Sequence, residues 1–336
     1  MNQIKRLLVI RLSALGDICM TLPVIDSFCR AYPQIEVTFL TSKPGAAIAQ
    51  SVLHNSNLRL HPINKQDYSG LAGMNRLYRE MKSLQFDAVA DLHSVLRTMW
   101  LDWRFRLSGI PVRTIDKGRK EKKALVNHQQ IQQLRSGVSR YLEVFERLGF
   151  SFTVDYDGAA GRTYQTSQSI AIGIAPFAQH QGKIYPLPLM HQTIQLLLDQ
   201  LPQLHIYLFG GKEDATTLQP WADEQPDRIT SVAGKQTFAD DLALMSRLRL
   251  MVSMDSANMH LASLVGLRCL SIWGATHRYA GFLGYGQRTE DCIELELPCR
   301  PCSIYGNKPC SQGDYPCLNG IRPEMVAKKI SNTLET

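Results

Sequence analysis

No run of 18 or more apolar residues occurs in the 336-residue chain, which excludes a membrane-spanning helix. There is no fixed-period repeat and no low-complexity tract, so a solenoid or a disordered array is excluded as well. The first apolar stretch, Leu7–Leu12, is interrupted by Arg11, and no small-residue cleavage site follows it. It reads as a first strand rather than a signal peptide, and the expectation is a cytoplasmic protein. No G-x-G-x-x-G fingerprint follows that strand, which argues against a dinucleotide oxidoreductase. The basic run Arg113–Lys123 has no interleaved aromatics, which argues against a nucleic-acid role.

What is present fits a soluble globular protein. Hydrophobic residues make up 44% and charged residues 20% of the chain, enough for two domains with cores of their own. The net charge of +7 is uneven: residues 1–160 carry 22 Lys/Arg against 14 Asp/Glu, and residues 161–336 carry 15 against 16. A basic first half implies an anionic partner on that side: phosphorylated lipid, a membrane surface or nucleic acid. Eight cysteines occur, four of them late, at Cys299, Cys302, Cys310 and Cys317. That spacing suits a structural zinc site, a compact loop with reduced thiols packed inside it, or a redox-dependent bridge.

Apolar runs of strand length alternate with helical patterns throughout. Strands are expected at Leu7–Leu12, Glu36–Leu40, Ala88–Leu92, Ser169–Ile174, His205–Phe209, Leu250–Met254 and Arg268–Trp273. Helices are expected at Pro23–Ala31, Leu71–Leu84, Leu189–Gln200, Phe238–Arg247 and Asn258–Leu264. The alternation demands parallel sheets covered by helices. The polar stretch Asp155–Gln168 is the expected connection, which gives domains of 1–160 and 161–321 and a last helix within 322–336.

Five strand-end segments carry chemistry. After the first strand, Arg11-Leu-Ser13-Ala-Leu-Gly16-Asp17 offers a glycine for close approach and a carboxylate that suits either a general base or a helix cap. Lys183, in Gly182-Lys183-Ile-Tyr185-Pro186, is a point charge suited to a diphosphate. In Gly211-Lys212-Glu213-Asp214 the carboxylates can meet a ribose or an adenine amino group, or start a helix. Ser253-Met-Asp255-Ser256-Ala257-Asn258-Met-His260 is a strand feeding a helix with Ser256 at the N-cap, where free N–H groups and the helix dipole favour a phosphate. Trp273-Gly-Ala-Thr276-His277 lies one strand further on.

Taken in order, these segments resemble glycosyltransferase family 9, the ADP-heptose:lipopolysaccharide heptosyltransferases. The resemblance rests on Arg11–Asp17 with Thr21-Leu-Pro23, on Phe86–His93 with Arg97, on Lys183-x-Tyr-Pro and on Ser253–His260, and it extends over nearly the whole chain. The late cysteine cluster is similar to one found in many members. The resemblance implies a GT-B fold, two Rossmann-like domains facing across a cleft, with acceptor on the first domain and donor on the second. It implies an inverting transfer, largely metal-independent, from an ADP-sugar to an anionic lipid-linked saccharide at the inner face of the cytoplasmic membrane.

Asp17 would be the catalytic base. Lys183, Gly211, Glu213, Asp214, Asp255, Ser256, Ala257, Asn258, His260 and Thr276 would bind the donor. Ser13, Gly16, His93, Arg97, Lys117, Arg119 and Lys120 would bind the acceptor, and Arg322–Leu334 would be a helix returning to the first domain. Ala257 departs from the family's usual glycine, which matters if the backbone there needs positive φ. A different nucleotide-sugar donor on the same fold, or a non-catalytic nucleotide-sugar binder, are the alternative readings. An Asp17→Asn change separates enzyme from binder.

Overall fold

The computed structural model describes residues 4–159 and 170–335. Within these the chain divides into two units, residues 1–117 with 137–156 and residues 118–136 with 157–336. Most of the expected connection, from residue 160 onward, lies outside the described residues.

In chain order the first unit holds β1 (Arg6–Arg11), α1 (Leu15–Ala31), β2 (Glu36–Ser42), α2 (Lys43–Val52), β3 (Leu58–Ile63), α3 (Gly70–Ser83), β4 (Ala88–Asp91), α4 (Leu96–Leu107) and β5 (Val112–Thr114). Helix α5 (Arg119–Val126) then falls in the second unit, and α6 (Gly137–Glu146) returns to the first. The sheet order is β3-β2-β1-β4-β5, parallel throughout, with Ile10 opposite Asp91. One face is packed by Leu8, Ile10, Leu77, Met81, Leu101 and Phe105. Helix α1 begins eight residues earlier than the expected Pro23–Ala31 and carries Pro23 in its interior. Its burial explains the tolerance: eleven of its residues are buried, so packing outweighs the one lost hydrogen bond.

The second unit holds β6 (Ile170–Ala175), α7 (Leu187–Gln200), β7 (Leu204–Leu208), α8 (Ala215–Glu224), β8 (Ile229–Ser231) and α9 (Phe238–Met245). It continues with β9 (Leu250–Met254), α10 (Ala257–Leu264), β10 (Cys269–Ile272), β11 (Cys292–Ile293), α11 (Pro316–Asn319) and α12 (Pro323–Glu335). The order β11-β10-β9-β6-β7-β8, again all parallel, is that of a complete doubly wound sheet. In each sheet the order reverses beside the first strand, between β1 and β4 and between β6 and β9. Ligands of open α/β sheets bind at the strand C-termini of such a switch point.

One expectation about organisation is corrected. Residues 118–136 do not belong to the first unit: Leu125 and Leu134 form an apolar cluster with Ala280, and the Leu134 N–H donates to the Tyr279 carbonyl. Helix α12 belongs to the second unit. Val326, Ala327 and Ile330 of α12 are buried in the second unit's core, where α12 packs on α7.

Candidate active site

In the first unit the loops after β1 and β4 meet. Asp17 is in the first turn of α1, and its carboxylate forms an ion pair with Arg11 at the end of β1. Arg11 is buried, and its guanidinium also donates to the Leu92 carbonyl at 2.6 Å, tying both loops together. Asp17 also accepts from the Ala14 N–H at 3.4 Å, as a helix cap would, and its side chain is half-buried. The Tyr141 hydroxyl of α6 lies 3.5 Å from the other carboxylate oxygen.

Ser13 Oγ is 3.2 Å from His93 Nε2. His93 is buried, and burial first, then the Arg11 and Lys117 charges, push its pKa down to about 3, so the ring is neutral. Asp91 shapes the loop by accepting from the N–H groups of His93 and Ser94, at 2.8 and 3.0 Å. Gly16 is an ordinary helical residue in the first turn of α1, without positive φ. Arg97 is the second residue of α4 and is half-buried. Beneath this loop the buried Asp102 accepts from Thr114 at 2.9 Å. Burial and then the Asp91 carboxylate hold its pKa well above the ordinary range.

In the second unit the loops after β6, β9 and β10 converge. Lys183 Nζ is 2.8 Å from Asp255 Oδ2, and Thr276 donates to the same oxygen at 2.9 Å. Tyr185 fixes the lysine's loop: its ring is fully buried and its hydroxyl donates to the Ile321 carbonyl at 2.8 Å. The Ala275 N–H donates to the Gly182 carbonyl at 2.8 Å, joining the lysine loop to the one after β10. This close approach requires Gly182, since a Cβ there would lie 2.8 Å from the Gly306 carbonyl oxygen.

Helix α10 opens at Ser256, which is extended at φ −144° and makes no side-chain cap bond. Its hydroxyl instead pairs with Ser253 Oγ at 3.0 Å. Ser256, Ala257 and Asn258 are half-buried, while His260 is buried one turn in. Ala257 is an ordinary helical residue without positive φ, so its Cβ costs no backbone strain. Asp214 is spent locally, accepting from the Gly211 N–H at 2.7 Å to close its own turn, and Glu213 is exposed beside it.

Sequence reasoning missed Arg300, which lies between two of the late cysteines. It is buried and donates to the carbonyls of Gly274 (2.6 Å) and Thr276 (3.0 Å) and to Glu294 (2.9 Å). Reading that segment for thiols alone hid it. Tyr141, Asp91 and Asp102 were missed because nothing in their local sequence sets them apart from core or helix residues.

The four late cysteines carry free thiols. They lie near enough to influence one another's ionisation, yet no group of three or more His, Cys, Asp or Glu among the described residues is placed to hold a metal ion. Cys317 packs at the second unit's apolar core, and burial pushes its thiol pKa up to about 11. The acceptor candidates Lys117 and Arg119–Lys120 are divided between the two units, with Arg119 and Lys120 exposed on α5.

Residues 74–311 match the model of glycosyltransferase family 9 (heptosyltransferase), well over half of the chain. The chain belongs to that family. Over 93 residues it is 33% identical to the lipopolysaccharide core heptosyltransferase OpsX of Haemophilus influenzae, a match covering 28% of this chain and 25% of that protein. The chain spans only about a quarter to a third of the length of the curated relatives it matches. A solved family 9 glycosyl transferase from Veillonella parvula has a TM-score of 0.75 at 20% identity, covering 100% of this chain and 99% of that one. E. coli ADP-heptose lps heptosyltransferase II has a TM-score of 0.69 at 16% identity, covering 98% of each chain. Identities this low speak to fold: two Rossmann-like units of the GT-B kind.

Proposed function

We propose that this family 9 protein is an inverting glycosyltransferase that moves heptose from ADP-heptose to a hydroxyl of a lipopolysaccharide-core acceptor. The observation that carries the reading is the half-buried Lys183 ammonium, held 2.8 Å from Asp255 by loops at the switch point where α10 begins. A diphosphate there would gain a cation and helix N–H groups whose cap side chain is engaged elsewhere. The E. coli relative is named for ADP-heptose and lps, which supports the same donor and acceptor class here.

In the proposed step the acceptor O–H gives its proton to Asp17 and the oxygen bonds to the anomeric carbon. The bond from that carbon to the diphosphate oxygen breaks on the opposite face, and its electron pair leaves with ADP. Lys183 and the first N–H groups of α10 stabilise the charge growing on the leaving phosphate, so the step needs no metal ion. Arg11 keeps Asp17 oriented through their ion pair. The acceptor is an anionic lipid-linked saccharide, which places the reaction at the inner face of the cytoplasmic membrane.

Calorimetric titration with ADP, UDP, GDP and CMP, repeated on Lys183→Ala, tests the donor. Selective ADP binding that weakens in the variant supports the reading, and preference for another nucleotide overturns the donor. Asp17→Asn should lose turnover of ADP-heptose while keeping ADP affinity. Unchanged turnover in that variant would remove Asp17 as the base.

A further inference from the structure

Helix α4 is apolar on two opposite sides. At 3.6 residues per turn, Thr98, Leu101, Asp102 and Phe105 share one side, and all four are buried. Leu96, Met99, Trp100, Trp103 and Leu107 share the other. There Leu96 is 86% exposed, Met99 51%, Trp103 50% and Leu107 67%. Single exposed apolar residues are ordinary, but these four are among nine large ones exposed over all the described residues. The half-buried Trp100 ring rests 5.2 Å from that of Trp103. Arg97 and Arg104 border the stripe on one side and Arg106 on the other. Arg104 and Arg106 hydrogen-bond neutral partners, Asn75 Oδ1 at 2.7 Å and Thr114 Oγ1 at 3.2 Å, which leave their charges uncancelled.

We propose that this face of α4 docks in the interfacial layer of an anionic lipid bilayer, with the stripe among the acyl-chain ends and the arginines at the phosphates. Tryptophan favours that depth, and arginine reaches from an apolar stem to a charged surface. Twelve residues make a helix of about 18 Å, too short to span a bilayer and suited to lying in its plane. A second copy of the chain fits less well, because a two-fold pairing on this stripe would bring like-charged arginine borders together. Leu96 starts α4 three residues after His93, so a docked helix sets the Ser13–His93 loop at headgroup level. Only that last consequence rests on the proposed transfer reaction; bilayer binding does not.

The test uses the full chain and vesicles of phosphatidylethanolamine with phosphatidylglycerol. Of its four tryptophans, Trp221 and Trp273 are buried in the second unit, so an emission shift reports on Trp100 and Trp103. The expected result is co-sedimentation with the vesicles, a blue shift and quenching by brominated acyl chains. Leu96→Glu with Leu107→Glu, and Trp103→Glu alone, should each weaken partitioning by about ten-fold or more. Trp103→Phe should restore most of it, and an unchanged circular dichroism spectrum and thermal melt in the glutamate variants show that they are folded. Arg106→Gln should weaken binding to anionic vesicles and leave neutral ones unaffected.

Absence of partitioning at low ionic strength would overturn the proposal, as would partitioning that the glutamate variants leave intact. So would a concentration-dependent dimer in sedimentation velocity that Trp103→Glu abolishes, since a second copy would then cover the face. Vesicle binding together with indifference to ADP would leave the docking face standing and remove the transferase reading instead.

Discussion

Lys183 and Asp255 form an ion pair of 2.8 Å in which both side chains are largely removed from water, and Thr276 gives the carboxylate a second donor. A buried pair of this kind makes little net contribution to stability, yet breaking it is costly because one charge is left unpaired.

Asp255→Asn should therefore destabilise the ligand-free protein by about 3–5 kcal/mol. ADP can supply a new partner for Lys183, so the rise in Tm on adding ADP should be larger in the variant than in the wild type. Lys183→Ala should weaken ADP binding about 10- to 100-fold, the size expected for one charge-assisted contact. Calorimetry and thermal melts with and without ADP check both.

Arg300 holds the loop after β10 through two carbonyls and shares Glu294 with Arg278. Arg300→Met should cost stability near the lower end of about 3–5 kcal/mol, because Arg278 still neutralises Glu294. Loosening Thr276 should raise KM for the donor more than it lowers kcat. Steady-state kinetics at varied donor concentration separate the two.

His93 is held neutral by burial, with its pKa lowered to about 3 from an ordinary 6.5. On acidification the unfolded chain binds a proton there that the folded protein refuses. The stability contribution is complete above about pH 6.5 and is lost as pH falls toward about 3, by at most about 1.4 kcal/mol per pH unit. His93→Gln should flatten that acid limb in urea unfolding series.

Asp102 acts in the opposite sense. Its carboxyl is raised to about 8 by burial and by Asp91, so the folded state keeps a proton that the unfolded chain releases near pH 4. Stability from this site is complete below about pH 4 and is lost as pH rises through about 8. Asp102→Asn keeps a donor toward Asp91 and should gain relative to the wild type across that window, most at its upper end. Unfolding free energies at about pH 5 and about pH 8 test the sign.

Much of the fold is legible along the chain because parallel strands buried on both faces are near-continuous apolar runs. Leu250–Met254 is such a strand, with all five residues buried. Helix α4 is not legible in that way: apolar residues on two opposite sides erase the 3.6-residue contrast that marks an amphipathic helix. The short strands β5 and β8 give too few residues for a period. The basic run reads as one patch, yet a single buried leucine, Leu125, fastens α5 to the second unit.

The sequence by itself determined the alternation of strand and helix, the loops that carry Asp17, Lys183 and Asp255, and the family to which they belong. Local pattern suffices for these, because strand period, glycine turns and helix starts are set within a few residues of one another. Only the tertiary structure decided which loops meet. Ser13 reaches His93 across 80 residues, and Lys183 reaches Asp255, because strand order places β1 beside β4 and β6 beside β9 at the two switch points. Burial then decided the chemistry of each group, since the same imidazole or carboxyl keeps or loses its charge according to how much water surrounds it.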